Sequence, residues 1–313
     1  MLKKVWSVCK HLSKNLKLIN RPSQLTTSIL SARFSTQMAE NASSTSAVFV
    51  EKQDRFKCVV LDLGKDCHVC ADDQFKEKMT RSIDSWKSDG VRAITTFIPS
   101  SLSHRIPTLL DLGFDFHHAN PGYVLMLRWL SETDTNNFPA YANHYVGVSG
   151  FVVNEHDEVL VIQERFTSGK MVWKFPGGGA DTGEHIAETA QREVFEETGI
   201  KSKFLGILAF RHMHGFRYGC SDFYFSCLMK AESNVIKKCD QEISKCAWIK
   251  LSELEKEDLY PTNRFILNAY NQYLSSKGTL IQLNSIPNYT NTGFHTAYCA
   301  GQVSPSPTQS SCL

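Results

Sequence analysis

The chain has 313 residues, 42% of them hydrophobic, and a formal charge of +2. That is enough apolar residue for two domains with their own cores, and it excludes a generally disordered chain. The near-neutral balance gives no global attraction to nucleic acid or to an anionic membrane surface, and no window reaches the ~20 uninterrupted apolar residues of a membrane-spanning helix.

From Met1 to Gln37 there are seven basic residues (Lys3, Lys4, Lys10, Lys14, Lys17, Arg21 and Arg33) and no acid; the first is Glu40. A basic, acid-free stretch rich in Ser, Thr, Leu and Ile predicts a mitochondrial transit peptide. Lys10, Lys14 and Lys17 interrupt the apolar core that a secretory signal requires. Arg33-Phe34-Ser35 resembles a matrix processing site, and Met38 offers a start for a shorter, cytosolic product. Residues 1–37 are therefore set apart from the fold, and 38–46 read as a linker. The ten cysteines are scattered, as expected of reduced thiols. Cys67-His-Val-Cys70 has the spacing of half a zinc site, but no second pair completes four ligands.

A first α/β domain is predicted over 47–130. Strands are expected at Lys57–Leu63 and Arg92–Ile98. Between them Phe75, Met79, Ile83 and Trp86 make one apolar stripe on a helix from Asp72 to Lys87. A helical segment follows over Ser101–Leu112, its regular part confined by Pro107, then short strands near Phe114–His118 and Tyr123–Trp129. His117 and His118, adjacent on a strand, are expected to point to opposite faces. Ser131–Pro139 is polar and turn-rich and marks a boundary, with a linker over 131–142. Beyond it strands are predicted at Tyr145–Val153, Val159–Gln163, Val172–Phe175, Phe204–Phe210, Phe223–Met229 and Ala247–Lys250. A last helix covers Asn263–Leu274, and the Asn-, Ser-, Thr- and Pro-rich residues 275–313 are expected to be disordered.

The segment from Gly178 to Ile200, GGADTGEHIAETAQREVFEETGI, holds five glutamates. Its helix should begin soon after Gly183-Glu184 and stop at Gly199. Ile186, Ala190 and Val194 share the side that packs on a sheet. Glu193, Glu196 and Glu197, at i, i+3 and i+4, project together from another face. Neighbouring cations solvate most acidic helix faces. Here Arg192 is the only cation inside the segment, and a Pro-Gly-Gly-Gly loop that permits close backbone approach precedes it. Three hard oxygen donors beside such a loop suit Mg²⁺ or Mn²⁺ shared with substrate phosphates.

The segment resembles the Nudix hydrolase motif at every fixed position: Gly178, Glu184, Arg192, Glu193, Val194, Glu196, Glu197, Gly199 and Ile200. FHHA at Phe116–Ala119, VGVSG at Val146–Gly150 and WKFPGG at Trp173–Gly178 resemble animal and plant members of the same family, so the likeness spans roughly residues 47–274. It implies an α/β/α sandwich around a mixed sheet, preceded by a small α/β domain similar to part of an acetyltransferase fold, with no acetyl transfer implied. It further implies that Glu193, Glu196 and Glu197 ligate metal with the Gly178 carbonyl, that Glu184 joins through water, and that Arg192 orients the carboxylates. Water would then attack one phosphorus of a nucleoside diphosphate linked to another group, ADP-ribose or NADH-like. Glu196 is the first choice of base and Glu242, in a later loop, the rival.

Substrate selection is expected from Phe210–Cys220, read as a loop between strands. Arg211 and Arg217 could pair with phosphate there, and Phe216 or Tyr218 could stack on a base. Arg165 is a further phosphate candidate. Two other readings stay open. In one, the first domain is a protein-interaction or dimerisation module, giving a homodimer with weak residual hydrolysis. In the other, the hydrolase acts on capped RNA, coenzyme A or FAD; capped RNA calls for an extended basic groove, and outside residues 1–37 the sequence shows only this short basic loop.

Overall fold

The computed structural model describes residues 48–49, 52–66, 71–166, 169–276, 278–287 and 292–300. The predicted targeting segment, the linker at 38–46 and the Cys67/Cys70 pair lie outside the described residues. The described residues form two compact units, one ending at Ala142 and the other beginning at Asn143.

In the first unit β1 (Lys52–Gln53), β2 (Cys58–Asp62), β3 (Ala93–Pro99), β4 (Asp115–Asn120) and β5 (Tyr123–Trp129) form a sheet in the order β1-β2-β3-β5-β4. A short helix α1 (Leu63–Asp66) follows β2, and α2 (Asp72–Ser88) makes the crossover that lets β2 and β3 run parallel. Its Phe75, Met79, Ile83 and Trp86 are all buried, so the stripe in the sequence is the face it lays on the sheet. A 3-10 turn (Ser100–Arg105) leads into α3 (Ile106–Asp111), with Pro107 in its first turn, where its missing N–H costs nothing.

The expectation for His117 and His118 fails. The β4–β5 register shifts between Phe116 and His118, which breaks the two-residue alternation. The two rings turn to one side, with their Nδ1 atoms 2.7 Å apart. His118 stacks on Tyr141, centroids 4.0 Å apart, and His117 Nε2 meets the Pro139 carbonyl oxygen at 2.8 Å.

The second unit is built on a mixed sheet of β6 (His144–Val153), β7 (Glu158–Glu164), β8 (Gly177–Gly179), β9 (Ser202–Met213), β10 (Ser221–Ala231), β11 (Ile243–Lys250), β12 (Ile281–Pro287) and β13 (Phe294–Ala300). Its order is β11-β7-β6-β10-β9-β12-β13, with β8 paired to the first half of β6. Only β6 and β10 run parallel; the other pairs are antiparallel. Alternation along the strands divides the core. Val148, Val152, Leu160 and Met229 face α4 (Ile186–Thr198) through Ala190 and Val194. Phe151, Val159, Val161 and Leu228 face α6 (Pro261–Ser276) through Ile266, Leu267 and Tyr270. A short α5 (Leu251–Leu254) buries Leu254 on that second side. The result is an α/β/α sandwich.

Three local expectations need correction. Residues 172–175 form no strand; Lys174 and Trp173 make single bridges to Ile162 and Leu259, and the ladder runs instead through the glycines of β8. Strand β9 continues to Met213, so the connection to β10 is only residues 214–220, and Arg211 lies on a strand. Residues 281–300, expected to lack structure, contain the β12–β13 hairpin, with Ile281 and Tyr298 packed on the α4 side of the core.

Candidate active site

The glutamate helix is held against the sheet more closely than most side chains allow. A Cβ on Gly150 would fall 2.4 Å from Val194, so the glycine in VGVSG lets α4 settle onto β6. Glu188 reaches back to the N–H of His185 at 3.0 Å at the start of α4, and Gly199 ends it with φ of 74°. The helix ladder then points Glu193 and Glu197 at the β8 turn. Glu197 is buried and accepts the Gly177 N–H at 2.8 Å. The Glu193 carboxylate occupies the space that a Cβ on Gly178 would fill, 2.3–2.6 Å from where that atom would stand. Glu196 is more open, its side chain 54% exposed.

Two cations lie among these acids. Arg192 grips Glu184 through both oxygens, at 2.7 and 2.8 Å, and also reaches Glu193 at 2.9 Å, Glu196 at 3.3 Å and the Gly179 carbonyl at 3.0 Å. Lys174, absent from the candidates read from the sequence, is bonded to Glu164 at 2.5 Å. Burial alone would lower its ammonium pKa; Glu197 and Glu164 outweigh burial and raise it. Arg192's hydrogen bonds hold the Glu184 carboxyl down at about 2. Burial pushes Glu197 up to about 7, against the opposing pull of Lys174 and the Gly177 N–H.

Among the described residues no three His, Cys, Asp or Glu side chains already converge on one point. The donor set nevertheless fits a divalent cation. Among the described residues Glu164, Glu184, Glu193, Glu196 and Glu197 gather around the two cations Arg192 and Lys174, which leaves an excess of negative charge carried by hard oxygens. The missing Cβ of Gly178 gives that charge room beside backbone.

A cavity of about 240 Å³ opens beside β8, lined by Gly177–Ala180, Lys174, Tyr145, Gly147, Arg211, Phe216, Arg217, Asp222 and Tyr224. Three of the residues assigned to substrate selection are therefore brought together with the glycine turn: Arg211, Phe216 and Arg217. Tyr145 and Phe216 meet edge to face at 6.0 Å, and Arg217 lies over the Phe216 ring. Tyr218 is 90% exposed and Arg165 is exposed; neither lines this cavity. Glu242 is exposed on the turn before β11, where its carbonyl accepts the Arg165 N–H at 2.7 Å. Asp222, a buried acid in the apolar run of β10, went unnoticed in the sequence. That contrast was the available signal for it, as a lone cation between Trp173 and Phe175 was for Lys174. A larger hollow in the first unit, about 530 Å³, is lined by two ion pairs, Lys87–Glu132 and Arg92–Asp134, that satisfy each other.

Among the described residues no helix is long and apolar enough to cross a membrane. A family profile described as NUDIX domain matches residues 143–270, and one described as Nudix hydrolase domain matches residues 49–130. The mouse protein "Nucleoside diphosphate-linked moiety X motif 6" is 40% identical over 222 residues, 69% of this chain and 70% of its own. "Nudix hydrolase 8" of Arabidopsis thaliana is 35% identical over 187 residues, 59% of this chain and 51% of its own length. A solved NUDIX hydrolase from Nitrosomonas europaea, 22% identical, superposes on 41% of this chain and 88% of its own with a TM-score of 0.36. Nudix enzymes act on small nucleotide substrates and generally use divalent metals such as Mg²⁺ or Mn²⁺. With both units matched and the mouse relative alike over most of its length, the chain belongs to the Nudix hydrolase family and is a diphosphohydrolase of that family.

Proposed function

We propose that the chain hydrolyses a nucleoside diphosphate linked to a second moiety, ADP-ribose or a reduced dinucleotide such as NADH, in mitochondria. The observation that carries this reading is the excess of carboxylate over cation at the β8 turn, placed next to a cavity with arginine and aromatic walls. Glu193, Glu196 and Glu197, with the Gly178 carbonyl, would hold Mg²⁺ or Mn²⁺, and Glu184 would join through water. When bound, the cations supply the positive charge that activates water and offsets charge on phosphoryl oxygens.

The chain's own groups do the rest. The glycines of β8 let phosphate approach backbone closely. Arg217 and Arg211 present cationic walls to the diphosphate, and Phe216 offers a ring face to the base. Arg192 fixes the rotamers of Glu184 and Glu193. Glu196, the most open of the three box acids, has the freest route for a proton to solvent and is our choice of base over Glu242.

The test is hydrolysis of ADP-ribose, NADH, NAD, FAD, coenzyme A and capped RNA by purified residues 38–313, with Mg²⁺ and then Mn²⁺. Turnover of ADP-ribose or NADH, lost in Glu197→Gln, supports the reading; turnover that survives the substitution removes the metal-ligand assignment. Glu196→Gln and Glu242→Gln compared side by side identify the base. A folded protein silent on the whole panel would favour the alternative, an interaction or dimerisation role for the first unit. Import is tested by fusing residues 1–37 to a fluorescent reporter, whose failure to reach mitochondria would remove that assignment.

A further inference from the structure

The cavity beside β8 contains one acid on the side away from the glutamate helix. Asp222 is 3% exposed, and its Oδ2 accepts Arg211 at 2.6 Å. Arg211 is itself anchored, donating to Thr262 at 3.3 Å and lying over the Tyr224 ring. Among the described residues its buried Nε has no hydrogen-bond partner. The pair is thus held from three sides and faces a space that protein does not fill. Gly147 lets the Tyr224 ring and Asp222 settle closely on β6 at the cavity wall: a Cβ there would stand 2.8 Å from Tyr224 and 3.6 Å from Asp222 Oδ1. An ionised carboxylate accepts more hydrogen bonds than the one Arg211 donates.

We infer that Asp222 is a specificity-determining residue. It accepts a hydrogen bond from a ribose hydroxyl of the bound nucleotide and, by its charge, excludes nucleotides carrying a phosphate at that hydroxyl. This rests on the hydrolase reading above and narrows it to substrates with an unesterified ribose. The physical grounds are general. A carboxylate facing a ribose 2′-hydroxyl distinguishes NAD-type from NADP-type ligands in unrelated folds, and placing like charges together at a recognition site costs affinity. Arg217 and the glycine-lined wall serve the diphosphate, and Asp222, whose Oδ1 is not taken by Arg211, is left for the uncharged part of the ligand.

The experiment uses full-length Glu197→Gln protein with Mg²⁺, so that ligands bind without turnover. Calorimetric titration with ADP-ribose and with its 2′-phosphorylated form should show at least about tenfold tighter binding of the first. Asp222→Asn in the same background should bring the two within about twofold, and Asp222→Glu, which keeps the charge, should retain the preference. Equal affinities before Asp222 is changed, or an unchanged preference in Asp222→Asn, overturn the assignment, as does binding of neither nucleotide. The first comparison needs no Asp222 variant, so poor folding of one does not protect the idea. Turnover by the unmutated chain separates the two readings. If both nucleotides are hydrolysed equally well, only the Asp222 assignment falls; if neither is, the proposed substrate class falls with it.

Discussion

Arg192 and Glu197 show why residues in one helix turn need different accounts. Arg192 satisfies three carboxylates and a carbonyl from one planar fork. Lysine keeps the charge but cannot span them. Arg192→Lys should therefore leave the fold intact and lower metal affinity or activity about 10–100-fold, the usual cost of losing an orienting partner; a Mn²⁺ titration of activity measures it. Glu197 is governed by burial. Its carboxyl, ordinarily near 4.5, is pushed to about 7 in the folded chain. Without metal, the folded state then holds a proton that the unfolded state has released between those values. The stability this contributes is full below 4.5 and is lost as pH rises through about 7. Glu184 has the opposite sign: held at about 2 by Arg192, it stabilises above 4.5 and that stability is lost as pH falls toward 2. Metal-free melting from about pH 5 to 8 should show the wild type declining relative to Glu197→Gln; a constant difference would contradict the buried-acid account. Because a metal ligand must be ionised, Mn²⁺ binding near neutral pH should also release protons, measurable by calorimetry in buffers of different ionisation enthalpy.

At the scale of elements, the two glycines that open β8 do different work. A Cβ on Gly177 would stand 2.2 Å from the Val148 carbonyl oxygen and 2.6 Å from Ser149 Cα, both backbone atoms of a buried strand. For one on Gly178 the three nearest atoms all belong to the Glu193 carboxylate. Gly177→Ala should cost stability, roughly 2–4 kcal/mol, read by denaturant unfolding. Gly178→Ala should change the unfolding midpoint little and reduce turnover at least about tenfold, because the carboxylate must move. Equal stability losses in both would refute this division. The sequence made the α2 stripe, the glutamate helix and most strands of the second unit legible, because each carries a strong periodicity or a terminal signal, such as Gly199. It could not reveal the bulge at His117 or the strand through three glycines, since neither has a side-chain pattern. Arg211, Phe216, Arg217 and the glutamates were readable as candidates. Lys174 and Asp222 showed only as single charges in apolar runs, a signal that acquires meaning from what the folded chain places beside it.

At the scale of the whole molecule, every residue assigned to the site belongs to the unit that begins at Asn143. Residues 143–300 alone should retain turnover of the same order as the full chain; a collapse in a folded fragment would give the first unit a part in catalysis. The β12–β13 hairpin belongs with this fragment. Leu280, just before it, is 7% exposed in the core on the α6 side, while Ile281 and Tyr298 pack toward α4. Ending the chain after Ser276 should destabilise the unit by roughly 2–4 kcal/mol, seen as an earlier urea midpoint.

The pairing of Arg192 with Glu184, Glu193 and Glu196, and of Lys174 with Glu164, has a consequence for the order of assembly. The acids are already partly neutralised from within, so the chain can complete its folding before any ion reaches it. Loading then becomes a late and reversible event, unlike that of small domains whose structure exists only around a metal. Exhaustive chelation should leave far-ultraviolet circular dichroism unchanged, and added Mg²⁺ should restore turnover within the mixing time, with no refolding lag.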